Sequence, residues 1–173
     1  YNFDASDAAY QVLENNEPLQ VSITVTVEDE VGADVTTYVV FNLTGTNDTP
    51  TVEAVTAVAL LEDADIVVGQ IVADDVDNNT TLTYSAPATA GFTLDTATGA
   101  YNFDASDAAY QVLENNEPLQ VSITVTVTDE QGALATTDVV FNLTGTNDAP
   151  TVEAVTAVAL LEDADIVNGQ IVA

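Results

Sequence analysis

Leu119–Val127 reads Leu-Gln-Val-Ser-Ile-Thr-Val-Thr-Val and has the clearest strand pattern in the chain. Apolar residues alternate with Gln, Ser and Thr, so an extended strand here has one apolar face and one polar face. Its β-branched residues are typical of strands that pack on one side. Val139–Leu143 alternates in a similar way. Together the two runs predict the closing strands of a sandwich whose inward residues include Val121, Ile123, Val125 and Val127.

Further strands are predicted upstream of this pair, separated by acidic turns and by the turn Thr98-Gly99. They are Thr51–Leu60, Ile66–Ala73, Leu82–Ser85, Phe92–Leu94 and Tyr101–Phe103. Ser106–Leu113 has the pattern of a single helical turn with Ser106 as its N-cap. About seven strands in about 100 residues is typical of an all-β, immunoglobulin-like sandwich.

The chain repeats itself with a period of 100 residues, because Tyr1–Val27 recurs unchanged as Tyr101–Val127. Of the 73 positions that can be compared, seven differ. A unit of this length buries its own core, so it predicts a tandem array of beads rather than a solenoid. Pro50 and Pro150 follow strand-like runs and mark the joints. The predicted units are 1–49, the C-terminal part of a preceding repeat, 50–149, a complete repeat, and 150–173, the N-terminal part of the following repeat.

The charge of the chain is entirely negative, with 29 Asp and Glu and no Lys, Arg or His. Hydrophobic residues make up 47% of the chain, which is enough to fold. Divalent cations held by carboxylate and carbonyl oxygens are the expected counterions. Nucleic acids and anionic membranes are excluded as partners because both require basic patches. No apolar stretch reaches the roughly 18 residues that a membrane span requires.

The acidic residues are concentrated at strand ends and joints. The clusters are Glu62–Asp65, Asp74–Asn78, Asp129–Gly132 and Asn147-Asp148. Turns are rich in polar residues in any protein, which explains a single cluster. Four clusters in a chain without a cation favour a metal. Calcium takes roughly six to eight oxygens, and Asp75-Val76-Asp77 on an extended backbone can direct two carboxylates at one ion. The spacing is not that of an EF-hand.

These motifs resemble those of a known family. Glu62, Gly69–Asp77 and Leu82–Ser85 resemble the opening half of a cadherin repeat, and Thr126–Gly132 with Asn147–Pro150 resembles its later calcium and linker motifs. The closing stretch, which includes Phe92–Asp95, Tyr101–Asp104 and Leu143–Pro150, resembles the cadherin-like repeats called VCBS in giant bacterial repeats-in-toxin adhesins. The resemblance implies an immunoglobulin/cadherin-like Greek-key sandwich, with Ca²⁺ between consecutive domains.

The resemblance also implies a set of calcium ligands. They are Asn47, Asp48, Glu62, Asp75, Asp77, Asp129, Asn147 and Asp148. The cadherin Asp-Arg-Glu motif cannot exist without Arg, and Asp104 or Asp107 is a candidate replacement, so one ion per joint is expected. The joint near residue 48 retains more carboxylates than the joint near residue 148 and is expected to bind calcium more strongly.

An enzyme is not expected, because the usual bases and nucleophile activators are missing. Three functions remain: a structural extender in a long adhesin or fibre, a ligand-binding adhesive module, and the protomer of a polymeric filament or S-layer. Near-identical copies favour the extender, since a spacer lengthens with each copy while a binding domain is usually unique. The expected partners are adjacent repeats of the same chain, with like chains added in the filament alternative. Localisation is expected to be extracellular, on a bacterial surface or secreted.

Overall fold

The alternating run Leu119–Val127 forms the centre of a long hairpin. A computed structural model describes residues 1–163 and 166–171, which form strands, turns and loops but no helix. Strand β10 (Pro118–Thr128) pairs antiparallel with β11 (Leu134–Thr144), and Ile123 lies opposite Val139. Both residues are buried, as are Val125 and Val127, while Val121 is half-buried. The predicted inward face of the strand is therefore confirmed.

Nine other strands precede this hairpin in the chain. They are β1 (Pro18–Glu28), β2 (Asp34–Thr44), β3 (Thr51–Val52), β4 (Val58–Leu61), β5 (Val67–Gln70), β6 (Ala73–Asp74), β7 (Thr83–Ser85), β8 (Phe92–Leu94) and β9 (Ala100–Phe103). One sheet has the order β4-β11-β10-β7 and a second has the order β5-β9-β8, while β3 pairs with β6. Strand β4 runs parallel to β11, and the other pairs are antiparallel. This crossed order confirms the all-β Greek-key sandwich.

The core lies between the two sheets and contains a stacked pair of aromatic rings. Phe103 of β9 stacks on Phe141 of β11 with ring centroids 3.9 Å apart and planes at 8°. Both rings are fully buried. Because β9 and β11 belong to different sheets, this pair ties the two layers together.

The first 49 residues contain a second copy of the closing hairpin. Strands β1 and β2 pair in the same register, with Ile23 opposite Val39. Phe3 stacks on Phe41 at 4.1 Å, as Phe103 does on Phe141. Within the described residues no further strand joins this sheet. Ile23 is consequently 41% exposed, whereas its counterpart Ile123 is 0% exposed.

Two predicted strands are interrupted in the structure. Thr51–Leu60 divides into β3 and β4, and Ile66–Ala73 divides into β5 and β6. At the second break the backbone N–H of Ile71 still donates to the Gly99 carbonyl beside β9, whereas the carbonyl of Val72 accepts from Glu53 N–H beside β3, so the chain passes here from one sheet to the other. Residues 151–163, in the third predicted unit, contain no strand, and residues 164, 165, 172 and 173 lie outside the described part of the chain.

The predicted helical turn at Ser106–Leu113 is wrong. Oδ1 of Asp104 accepts from both the N–H and the Oγ of Ser106, at 2.9 and 2.7 Å. Tyr110 N–H donates to the Asp107 carbonyl and Leu113 N–H to the Tyr110 carbonyl, which are i to i+3 bonds of successive turns. Short polar side chains compete with the helical backbone pattern in this way. The part of the chain that the structure describes contains no helix of the length and apolarity that a bilayer crossing requires.

Candidate metal centre

The linker Gly45–Pro50 is attached at its first residue to the preceding unit by backbone hydrogen bonds. Gly45 N–H donates to the Glu17 carbonyl at 2.8 Å, and its own carbonyl accepts from Asn16 N–H at 2.9 Å. A Cβ at position 45 would overlap the backbone carbonyl oxygen of Glu14, so this close approach requires glycine. Asn47 and Asp48 follow after Thr46, so the attachment of Gly45 to the preceding unit limits where they can lie.

The same two linker residues bond to the complete unit that follows. Nδ2 of Asn47 donates to Oδ2 of Asp129 at 2.9 Å, and the N–H of Asp48 donates to Oδ2 of Asp77 at 2.9 Å. The N–H of Asp77 donates in turn to Oδ1 of Asp75 at 3.0 Å. The structure thus brings together all five residues predicted for the first joint.

Two carboxylate oxygens at this joint are buried without a hydrogen-bond partner. They are Oδ2 of Asp75 and Oδ1 of Asp77, and the Asp77 side chain is 8% exposed. Burying a charged oxygen without a partner is costly. The chain has no basic side chain to pair with these oxygens, and a bound cation would offset that cost. The geometry therefore fits a hard, oxygen-preferring metal ion.

Asp129 is oriented by the turn that follows β10. Its Oδ1 accepts from Gln131 N–H at 2.9 Å and from Ala133 N–H at 2.8 Å, so Oδ2 remains on the side of the linker. Its side chain is 5% exposed. This turn holds the carboxylate in place before any ligand arrives.

The carboxylates of the first joint influence one another electrostatically. Burial raises the pKa of Asp75, the N–H of Asp77 opposes that rise, and the carboxylates of Asp77, Asp129 and Glu130 add to it. Burial also pushes the pKa of Asp129 upward, but hydrogen bonds from Asn47 and from the backbone of Ala133 and Gln131 outweigh it and lower the pKa overall. The joint is consequently a region of negative potential.

The second joint assembles a different part of the ligand set. Glu62 is 0% exposed, its Oε1 accepts from Thr146 N–H at 2.6 Å, and its Oε2 is buried without a partner. Carboxylate oxygens of Glu62, Asp63 and Asp148 lie within 4.8 Å of one another, and within the described residues this is the one group of three acidic or metal-binding side chains so close. Asn147 is exposed and donates to the Asp148 carbonyl at 3.1 Å.

Sequence reasoning placed Asp63 in an acidic turn but did not select it as a ligand. Its position next to Glu62 was the signal in the sequence. In the structure Thr146 contacts both residues, since its N–H donates to Glu62 Oε1 and its Oγ1 donates to Asp63 Oδ2 at 2.6 Å. The proposed substitutes Asp104 and Asp107 lie elsewhere, in a surface groove with Gly91 and Phe92. They are not part of the carboxylate group around Glu62.

By strand order, the chain is an all-β Greek-key sandwich. No protein-family model and no curated protein matches it. Solved cadherin ectodomains are similar in fold. Protocadherin Gamma B7 extracellular cadherin domains 1-4 is 16% identical with a TM-score of 0.48, covering 74% of this chain and 41% of that one. Human mucin-like protocadherin EC1-2 is 20% identical with a TM-score of 0.46, covering 72% and 68%.

A third similar structure is Drosophila N-cadherin EC1-4, which is 15% identical with a TM-score of 0.46, covering 83% of this chain and 37% of that one. The chain spans less than half the length of the first cadherin fragments that it matches. These likenesses concern the fold, and the fold assignment rests on the strand order itself.

Proposed function

We propose that this chain belongs to an extracellular structural extender whose repeat joints are stiffened by Ca²⁺. One observation carries the proposal. In a chain with 29 acidic and no basic side chains, Asp75 and Asp77 hold buried, unpartnered oxygens against the linker residues Asn47 and Asp48. An ion at this position contacts the linker and the following unit together, and so restrains the joint.

Calcium is the ion that this donor set favours. Every donor is an oxygen, from carboxylates, an asparagine amide or backbone carbonyls, and the donors come from separate segments whose spacing can adjust. Magnesium requires a stricter octahedral geometry, and zinc prefers nitrogen and sulfur ligands. Without an ion, like charges at the joint repel one another, and the joint opens more easily.

The two joints supply complementary halves of one repeating site. The first joint joins linker residues to Asp75, Asp77 and Asp129 of the unit that follows. The second joins the linker residue Asp148 to Glu62 and Asp63 of the unit that precedes it. Because the sequence repeats every 100 residues, a joint between two complete repeats would contain both halves.

An extender accounts for the remaining features better than an enzyme or a ligand-binding module. The copies are nearly identical, which suits a spacer that gains reach with each repeat. We place the chain among VCBS-like repeats of a bacterial surface or secreted adhesin, with domain boundaries at 1–49, 50–149 and 150–173. Its partners are neighbouring repeats of the same chain.

The test compares two chemically identical substitutions in repeated turns. Asp129 lies at the joint, whereas Asp29 caps the same turn in the first hairpin, accepting from Val31 and Ala33 N–H at 2.9 Å, and is exposed. Saturating calcium should raise the melting temperature of the chain and narrow its distribution of shapes in X-ray scattering. Asp129→Asn should weaken both effects, while Asp29→Asn should leave them intact. Identical melting and scattering in calcium and in chelator would overturn the proposal.

A further inference from the structure

One turn occurs twice in the chain with the same sequence but in different surroundings. Residues 10–17 and 110–117 both read Tyr-Gln-Val-Leu-Glu-Asn-Asn-Glu. Val12 is half-buried, whereas Val112 is 79% exposed. Glu14 and Glu17 are half-buried, and their counterparts in the second turn are exposed. Something therefore covers the first turn that does not cover the second.

The internal structure of the two turns is the same. Asn16 and Asn116 both have φ of 65°. Each donates its N–H to the carbonyl oxygen of the glycine in the adjacent linker, Gly45 or Gly145, at 2.9 Å. The backbone N–H of the fifth residue, Glu14 or Glu114, donates to a glutamate three residues later in each case. The difference in burial is thus caused by outside contacts and not by a change in the turn.

The cover of the first turn is the loop that follows the Asp-x-Asp motif of the next unit. Asn78 N–H donates to the Val12 carbonyl at 3.0 Å, and Nδ2 of Asn79 donates to Oε1 of Glu14 at 2.7 Å. Beside them, the side chains of Asn15 and Gln131 are hydrogen-bonded at 3.3 Å. Three hydrogen bonds therefore connect the turn to the following unit, in addition to those of the linker.

The receiving loop is held in its shape by contacts within its own unit. Asn79 has φ of 56°, a left-handed conformation that asparagine adopts more readily than most residues. Thr80 Oγ1 donates to the Asp77 carbonyl at 3.0 Å, and Thr81 N–H donates to Oε2 of Glu130 at 2.9 Å. The loop thus presents Asn78 and Asn79 as donors without relying on the neighbouring unit.

We propose that turn 10–17 is a metal-independent docking site for the Asn78-Asn79 loop of the following repeat, and that it sets the orientation in which calcium then stiffens the joint. This inference rests on the proposed function, because it treats the contact as a joint between two repeats. The identical, exposed turn 110–117 offers the same surface to a further copy of the repeat.

The chemistry of the contact suits a chain without basic residues. Where other proteins place Lys or Arg opposite a glutamate, Asn79 supplies a neutral amide donor to Glu14. None of the three bonds pairs two carboxylates, so removing a cation leaves each bond with its donor and acceptor. The turn is also fixed to the linker through Gly45 N–H and the Glu17 carbonyl, at 2.8 Å. Turn and linker are therefore hydrogen-bonded to each other.

Hydrogen exchange of the Asn78 amide in chelator tests the docking directly. In the full chain this amide should exchange slowly even without calcium, because it donates to Val12. Asn79→Gly, which retains the left-handed backbone, and Glu14→Ala should each accelerate its exchange by about fivefold to tenfold, the effect expected from one hydrogen bond. Glu114→Ala is the matched control and should change nothing at Asn78. Protection of Ile123 in the core verifies that each variant is folded.

The outcomes separate this inference from the calcium proposal. Fast exchange of Asn78 in the unmodified chain with chelator, or equal acceleration by Glu114→Ala and Glu14→Ala, would overturn the docking site, even if calcium binds. Slow exchange of Asn78 that only the Glu14 and Asn79 variants accelerate supports the docking site, even if calorimetric titration shows that calcium does not bind.

Discussion

The backbone N–H of Asp48 donates to Oδ2 of Asp77 across 2.9 Å, while the other oxygen of Asp77, Oδ1, is buried without a partner. One carboxylate therefore bonds to the linker and still has an oxygen free for an ion. This arrangement links metal binding to the restraint of the joint, because an ion on Asp77 acts on the residue that already holds the linker.

The double variant Asp75→Asn with Asp77→Asn should lose ordered calcium binding at the first joint and let the units hinge. Replacing a carboxylate by an amide removes the charge that attracts the ion while retaining the size of the side chain. Calorimetric titration measures the loss, and scattering measures the hinge. The double variant Asp29→Asn with Asp34→Asn changes the charge equally at exposed positions and is the control. Unchanged binding in the first variant would remove the Asp-x-Asp assignment.

Ile123→Ala should destabilise the fold by about 2–5 kcal/mol, as expected for truncation of a fully buried side chain. Ile123 is 0% exposed between the two sheets. Its repeat counterpart Ile23 has the same neighbours in sequence but is 41% exposed, so Ile23→Ala should cost far less. Chemical denaturation of both variants gives the comparison. Equal costs would mean that β10 does not present this face to the core.

Gly69→Ala should destabilise the second sheet. Gly69 lies directly opposite Tyr101 in the β5–β9 pair, and a Cβ at position 69 would overlap the tyrosine ring. The buried ring would have to move, at a cost of about 1–3 kcal/mol. Gly169→Ala is the repeat counterpart, where a Cβ would meet nothing within 4 Å. A drop in melting temperature is expected for the first variant and none for the second.

The sequence sufficed to predict the long strands and the inward face of the core, because strict alternation in β10 admits one register. It did not predict the breaks within Thr51–Leu60 and Ile66–Ala73. Each run reads as one continuous strand, and where it changes sheets depends on partners distant in sequence, such as Val52 for Ala73. The helical prediction at Ser106 failed because Asp104, two residues earlier, closes a turn through the N–H and Oγ of Ser106, and the chain continues in successive turns with i to i+3 bonds.

The candidate site was predictable to the extent that motifs mark it. The acidic motifs and the linker named the five residues Asn47, Asp48, Asp75, Asp77 and Asp129, which the structure connects by hydrogen bonds at the first joint. Asp63 and the contact between Glu14 and Asn79 were not found. Asp63 was marked only by its position next to Glu62. Glu14 and Asn79 do not stand out by type or spacing, and 65 positions separate them, so only the folded arrangement reveals their contact.

Asp95 should stabilise the fold above pH 4 and lose that effect in more acidic solution. Hydrogen bonds from Ala97 N–H, then from the backbone and side chain of Thr98, lower its pKa. A folded-state pKa below the unfolded value of about 3.9 means that its contribution is complete above that pH and disappears as pH falls through the folded pKa. In chelator, the stability difference between the unmodified chain and Asp95→Asn should shrink below about pH 4. A constant difference would contradict this assignment.

Glu62→Gln should have different effects on stability with and without calcium. Oε2 of Glu62 is buried without a partner, so in chelator the charge is uncompensated, and its removal should leave the melting temperature unchanged or raise it. In calcium the same oxygen, grouped with Asp63 and Asp148 within 4.8 Å, gains an ion, and the substitution should reduce the stabilisation that calcium provides. Glu162→Gln, at the exposed repeat counterpart, should show neither effect. Melting curves of both variants in calcium and in chelator make the comparison. If Glu62→Gln lowers the melting temperature equally in both solutions, Glu62 supports the fold through Thr146 alone and is not a calcium ligand.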